Sequence, residues 1–134
     1  MARKKPIPCP CGSGQDHTDC CAPYLAESAM PPTAEALMRS RYTAYALGAF
    51  EYLRATWHSS TRPAELASES NSKWVGLQIL ATEGGGPNAT EGKVEFIAHY
   101  KIQGRAFRLH ERSRFVREGG AWRYLDGVLD PDEH

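Results

Sequence analysis

Residues 106–128 read Ala106-Phe107-Arg108-Leu109-His110-Glu111-Arg112-Ser113-Arg114-Phe115-Val116-Arg117-Glu118-Gly119-Gly120-Ala121-Trp122-Arg123-Tyr124-Leu125-Asp126-Gly127-Val128. Side chains alternate between the two faces of a strand, so Phe107, Leu109, Glu111, Ser113 and Phe115 share one face and Arg108, His110, Arg112 and Arg114 the other. The apolar row must look toward a core, and the basic row then forms a solvated outer face. Gly119-Gly120 is a two-residue hairpin signal, because two glycines tolerate the left-handed backbone that a tight turn between twisted strands demands. A last strand over 122–128 follows. With a two-residue turn, Phe115 is expected opposite Tyr124, Ser113 opposite Asp126 and Glu111 opposite Val128. Glu111 and Asp126 then approach diagonally on the inner face. A carboxylate in an apolar row is destabilising unless it is paired or stays protonated.

Upstream, the period of two persists. Val94, Phe96, Ala98, Tyr100 and Ile102 make one face of a strand that Gly104 turns, and an earlier strand from Trp74 alternates Val75, Leu77, Ile79 and Ala81 with Trp74, Gly76, Gln78 and Leu80. Gly84-Gly85-Gly86-Pro87-Asn88 separates the two. Before the strands the period changes to that of a helix. Thr33 can cap a helix over 34–47, Glu35 favours its positive end and Gly48 stops it. A short helix over 49–56 shows Phe50, Leu53 and Trp57 at helical spacing, and a third is expected over 63–69. Helices first and an antiparallel meander afterwards predict an α+β domain whose sheet curls around the helices. Leu37, Met38, Tyr45, Leu53, Trp57, Leu77, Phe96, Leu109, Phe115 and Tyr124 are the expected core.

That arrangement predicts a polar group beneath the helices. The candidate pocket residues are Arg39, Arg41, Tyr42, Tyr45, Trp57, His58, Glu111, Ser113 and Asp126, with Asp126 or Glu111 as the candidate acid/base. The structural alternative is that the carboxylates are salt-bridged to Arg39 or Arg41 and simply lock helix onto sheet.

The four cysteines form one array, Cys9-x-Cys11-x(8)-Cys20-Cys21, with Gly12-Ser13-Gly14 to double the chain back. Four thiolates at this spacing predict one structural zinc per chain, tetrahedral and with no open position. Two disulfides are the alternative. Neighbouring cysteines seldom pair, and the start of the chain runs from Arg3-Lys4-Lys5 into Pro and Cys without an apolar secretory segment. A reducing cytoplasm is therefore expected. His17 could stand in as a ligand but is superfluous beside four cysteines. Pro31-Pro32 reads as a linker, dividing the chain into a knuckle, 1–27, and a domain, 28–134, with separate cores. Sixteen basic and sixteen acidic side chains balance in 134 residues, so no broad basic stripe points to nucleic acid, and no apolar run approaches a membrane span.

Cys9-Pro10-Cys11-Gly12-Ser13-Gly14 with Cys20-Cys21 resembles the SEC-C zinc motif, best known at the C-terminal tail of the SecA preprotein translocase motor. Together with Ala22-Pro23-Tyr24-Leu25, Leu37-Met38-Arg39-Ser40-Arg41-Tyr42, Thr56-Trp57-His58, Glu111-Arg112-Ser113-Arg114-Phe115 and Tyr124-Leu125-Asp126-Gly127, it resembles the YchJ-type (UPF0225) proteins. The resemblance implies a SEC-C motif joined to a cone-shaped nuclear transport factor 2-like domain, in a family without an established activity. Two departures stand out. Many members carry a second SEC-C motif after the domain, where this sequence reads Asp130-Pro131-Asp132-Glu133-His134, and the often lysine-rich loop between cysteine pairs is Gln15-Asp16-His17-Thr18-Asp19. The role implied is a binding or adaptor protein, the knuckle contacting a protein partner (export chaperone or ribosome, by analogy with SecA) and the cone holding a small ligand. The alternative is a small enzyme of the ketosteroid-isomerase-like fold, with Asp126 or Glu111 as base and Tyr42 or Tyr45 as hydroxyl donor.

Overall fold

A computed structural model describes residues 7–64 and 72–130. After a 3-10 turn, His17–Asp19, come the helices α1 (Ala22–Leu25), α2 (Ala34–Leu47) and α3 (Phe50–Ala55), then the strands β1 (Ser72–Gly84), β2 (Glu91–Ile102), β3 (Arg105–Glu118) and β4 (Ala121–Leu129). The strands form one antiparallel sheet in sequential order, a meander. The α+β class, the order of elements and the inward face of β3 are as expected.

Local chemistry sets the boundaries. The Thr33 hydroxyl accepts from the Ala36 amide at 3.1 Å, and Gly48 ends α2 in the left-handed conformation at φ 76°. Gly119 and Gly120 both take positive φ, 63° and 86°, so the β3–β4 connection is the expected tight hairpin. The expected helix over 63–69 does not begin by Ala64, and its remainder lies outside the described residues. After α3 the chain instead runs beside β4. Tyr124 donates to the Thr56 carbonyl and His58 to the Tyr124 carbonyl, both at 2.8 Å, which extends Trp57 and His58 along the sheet.

Three bulges change which residues face inward. In β1, Val75 and Leu80 have no partner of their own, because Trp74 pairs with Tyr100, Gly76 with His99, Ile79 with Phe96 and Ala81 with Glu95. The first bulge puts Trp74 on the same face as Leu77 and Ile79 and leaves Val75 half exposed, where strict alternation separates Trp74 from them. The third bulge is at Leu125. Phe115 does pair with Tyr124, but Arg114 pairs with Asp126 and Ser113 with Gly127, so Asp126 crosses to the outer face. The expected inward Asp126, and its diagonal approach to Glu111, are therefore corrected.

The sheet packs on α2, and the core runs without a break into the knuckle. Cys9, Cys11 and Cys21 share one cluster with Leu37, Met38, Tyr42, Val94, Phe96, Phe115 and Trp122. The expected separate cores across a Pro-rich linker are thus corrected to a core shared by knuckle and sheet, and the Trp122 indole N–H even donates to the Pro32 carbonyl at 3.1 Å. Leu37, Leu53 and Phe115 are fully buried as expected, whereas Tyr45 is exposed on one side. The outer face of β3 is not a free basic row: Glu95 accepts from His110 at 2.8 Å and Arg112 at 3.0 Å, and Arg114 chelates Asp126.

Candidate functional site

Two groups of chemistry-bearing side chains meet α2 from opposite sides. The first is the thiol cluster. Gly12 and Gly14, at φ 78° and 86°, turn the chain back so that the Cys9 amide reaches the Gln15 carbonyl at 2.9 Å and the His17 amide the Ile7 carbonyl at 2.8 Å. Asp16 caps the 3-10 turn by accepting from the Thr18 amide at 3.0 Å, which delivers Cys20 and Cys21 onto the first pair. The four sulfurs lie within 4.8 Å of one another, with Cys11 to Cys20 at 3.6 Å and Cys20 to Cys21 at 3.9 Å. A tetrahedron with metal–sulfur bonds near 2.3 Å has edges of about 3.8 Å. All four cysteines are free thiols. The donor set therefore fits a soft, four-coordinate metal ion.

A hydrogen bond from Cys21, helped by Ser13, pulls the Cys11 thiol down to about 4, while that same bond and burial push Cys21 up. Without a cation, one thiolate is stabilised by thiols that must stay protonated. A divalent ion allows all four to ionise. His17 Nδ1 stands 3.5 Å from the Cys9 sulfur and the Thr43 hydroxyl 3.7 Å from it, at hydrogen-bonding rather than ligating positions. Arg39 clamps the knuckle to α2, its Nη1 donating to the Cys11 carbonyl at 3.0 Å and its Nε to Glu35 at 3.0 Å.

The second group lines a cavity of about 220 Å³ between α2 and the inner face of the sheet. Met38, Arg41, Tyr42 and Tyr45 come from α2; Trp57, Trp74, Phe96, Ala98 and Leu109 form apolar walls; Glu111, Ser113 and Tyr124 supply the polar end. Arg41, 3% exposed, lies between the rings of Trp57 and Tyr124, 5.0 and 4.7 Å from their centroids. Its Nη1 donates to the Leu53 carbonyl at 2.8 Å and the Thr56 hydroxyl at 2.7 Å. Burial lowers its pKa, but from so high a starting value that the guanidinium stays charged. Glu111 accepts from the Ser113 hydroxyl and, at 3.2 Å, from the Tyr124 hydroxyl. Burial and the adjacent Glu111 push the Tyr124 phenol up, so it keeps its proton and donates a hydrogen bond to the carboxylate. Gly127 makes room for this: a Cβ there would collide with the Glu111 carboxylate. Trp57 Nε1 is the one buried side-chain polar atom among the described residues with no hydrogen-bond partner.

Of the nine pocket residues read from the sequence, the cavity brings together Arg41, Tyr42, Tyr45, Trp57, Glu111 and Ser113. Arg39 is on the knuckle side of α2, His58 is near Glu118 at 3.7 Å, and Asp126 is outside with Arg114. Glu111 is held by hydroxyls, not by Arg39 or Arg41, so the expected guanidinium bond is corrected. Met38, Phe96, Leu109 and Tyr124 were expected only as core. Trp74 reaches the inner face through its bulge, against the strict alternation that separates it from Leu77, and nothing in the sequence marked Ala98 or Gly127 as lining or clearance.

A family profile for the SEC-C motif matches residues 7–23, and one described as "YchJ, middle NTF2-like domain" matches residues 33–127. The UPF0225 protein of Cupriavidus pinatubonensis is 50% identical over 133 residues, covering 95% of this chain and 92% of that protein. This chain belongs to the UPF0225 family. A second UPF0225 relative, from Streptomyces coelicolor, is 49% identical over 120 residues, 90% of this chain and 94% of its own. The solution structure of a SEC-C motif containing protein from Rhodopseudomonas palustris superposes with a TM-score of 0.81 at 37% identity, covering 91% of this chain and 98% of that one. A crystal structure of a SEC-C motif containing protein from Psychrobacter arcticus gives 0.73 at 26% identity, with 94% and 83% coverage. The UPF0225 chain thus has its cysteine array within the matched SEC-C motif and its cavity within the matched NTF2-like domain. Among the described residues no helix is long and apolar enough to cross a membrane.

Proposed function

We propose that this UPF0225 chain is a zinc-carrying binding protein: Cys9, Cys11, Cys20 and Cys21 hold one structural zinc, and the cavity under α2 holds a small ligand. Residues 1–27 act as the knuckle and 28–134 as the ligand-holding domain. The observation that carries this reading is the cavity itself, apolar in its walls yet holding a buried guanidinium and lined by a tryptophan whose N–H lacks an acceptor. Four thiolates in a closed tetrahedron favour zinc or an iron centre, and zinc suits a site that only ties chain segments together. A thiol cluster of this kind persists in a reducing compartment, which supports the cytoplasm. Native mass spectrometry of freshly purified protein, with elemental analysis, tests both halves. One zinc per chain and a small-molecule adduct are expected; metal-free or iron-loaded reduced protein defeats the zinc assignment, and no adduct with any metabolite pool defeats the cavity reading.

The knuckle is the surface we assign to a protein partner, since Ile7 beside it is 68% exposed and Thr18 and Asp19 rim it. Purified export chaperone and ribosomes are the partners suggested by the SecA motif. Co-sedimentation unaffected by Ile7→Ser would remove that role. An acid/base enzyme is supported only through Glu111, which faces the cavity beside the Tyr124 hydroxyl. Asp126, ion-paired outside, does not serve it. Glu111→Gln, expected to leave turnover of no tested carbonyl compound changed, would reverse that ranking by abolishing a measurable proton exchange.

A further inference from the structure

The cavity carries both signs of charge without joining them. Among the described residues no carboxylate stands within ion-pair distance of Arg41, whose protein acceptors are a carbonyl and a hydroxyl, both neutral. Glu111 in turn has hydroxyl partners on Oε2 and no cation. Tyr124 stands between the two charges. The guanidinium lies over its ring at 4.7 Å and the carboxylate at its hydroxyl at 3.2 Å, so the two charges meet different parts of one aromatic side chain. A buried guanidinium that meets only neutral acceptors is costly, and so is a carboxylate in an apolar wall; an ion of opposite sign relieves each.

From this geometry we infer that the cavity takes a zwitterionic small molecule, an α-amino acid with an apolar side chain, its carboxylate toward Arg41 and its ammonium toward Glu111. The inference rests on the reading of the cavity as a ligand site and adds the chemical class. At about 220 Å³ the space is half as large again as a cavity of about 150 Å³ that admits benzene. It therefore has room for a branched aliphatic side chain together with the charged groups on one carbon. Met38, Phe96 and Leu109 supply apolar contact for that side chain. The Trp57 indole is one of the two rings flanking Arg41, and its own N–H is buried without an acceptor. A plain carboxylic acid would leave Glu111 unmatched and add a second anion, and a plain amine would leave Arg41 unmatched.

The test uses the whole metal-loaded chain and titration calorimetry with L-leucine, 4-methylpentanoate and 3-methylbutylamine, which differ only in the charges they keep. L-Leucine is expected to bind, and loss of either charge to weaken binding about tenfold or more, the range of a charged hydrogen bond. Glu111→Gln, which keeps a carbonyl acceptor for Ser113 and Tyr124, should lower leucine affinity while leaving the acid's affinity equal or improved. Arg41→Lys should weaken both, and Ala98→Leu, which fills the cavity without touching either charge, should abolish binding of all three. Equal affinity for the three compounds, stronger binding of the acid than of leucine, or no binding of leucine at millimolar concentration overturns the zwitterion. If leucine fails but native mass spectrometry shows another adduct that Ala98→Leu removes, the ligand site stands and only its proposed class falls. No adduct in any form removes both.

Discussion

The knuckle and the cavity touch the same helix but are built in opposite ways. Every cysteine of the knuckle lies between residues 9 and 21, so the spacing of the four and the glycines between them is enough to bring the sulfurs within 4.8 Å. The cavity draws on α2, on the segment after α3 and on all four strands, and its Trp74 wall depends on a bulge. A chelate closed over a few residues survives small errors of register. A pocket assembled across a sheet does not, because a one-residue slip exchanges its faces.

The largest effect should come from breaking the knuckle. Cys11→Ser is expected to lose the metal and, because Cys9, Cys11 and Cys21 pack in the same core as Leu37 and Trp122, to lower the melting temperature of the whole chain. Structural zinc binds finger peptides with about 10–16 kcal/mol, so a fall of about 10 °C or more is expected for a chain of this size. Hydrogen exchange in β2 and β3 decides the point. Unchanged protection after metal loss would mean two independent units after all.

Next comes the seam where linker meets sheet. Trp122, 1% exposed, should cost about 3–5 kcal/mol as Trp122→Ala. Trp122→Phe, which keeps most of the packing and loses the bond to the Pro32 carbonyl, should cost about 1 kcal/mol in urea unfolding. Equal losses would mean that the hydrogen bond, not the packing, holds the seam.

On the cavity side, Gly127→Ala should drive Glu111 off the Ser113 and Tyr124 hydroxyls at a cost of about 1–3 kcal/mol, since its Cβ would occupy the carboxylate's place. A crystal structure of the variant with Glu111 unmoved would show that the clearance is not needed. Arg39→Ala should cost about 1 kcal/mol and speed metal release to a chelator, while leaving the cavity unaltered, because among the described residues Arg39 donates to Glu35 and the Cys11 carbonyl and not to a cavity group. A change in ligand affinity instead would tie the two regions more closely than their contacts suggest.

The smallest effect belongs to Asp126. Arg114 holds its carboxyl below the ordinary range, so the pair's stabilisation is present above the unfolded value near about pH 4 and is lost as the pH falls through the lowered folded value. Both side chains are about half exposed, so solvent screening keeps the contribution small. Asp126→Asn should flatten that part of the acid unfolding curve and leave ligand binding intact. Loss of binding would restore Asp126 to the site.

The close cluster of the four cysteines, the Thr33 and Gly48 ends of α2, the Gly119-Gly120 hairpin and the inward row Leu109, Glu111, Ser113 and Phe115 were all legible in the sequence, because each depends on residues a few positions apart. What sequence reading could not reach were the extra residues Val75, Leu80 and Leu125, which pair with nothing and so leave no mark on a pattern of alternation. They alone turn Trp74 into the cavity and Asp126 out of it. Tertiary packing also decided that Arg39 and Arg41, two residues apart on α2, part company, one to the knuckle and one to the cavity. At about 100° per residue they lie some 200° apart around the helix, and only the neighbours on each side determine what each guanidinium meets.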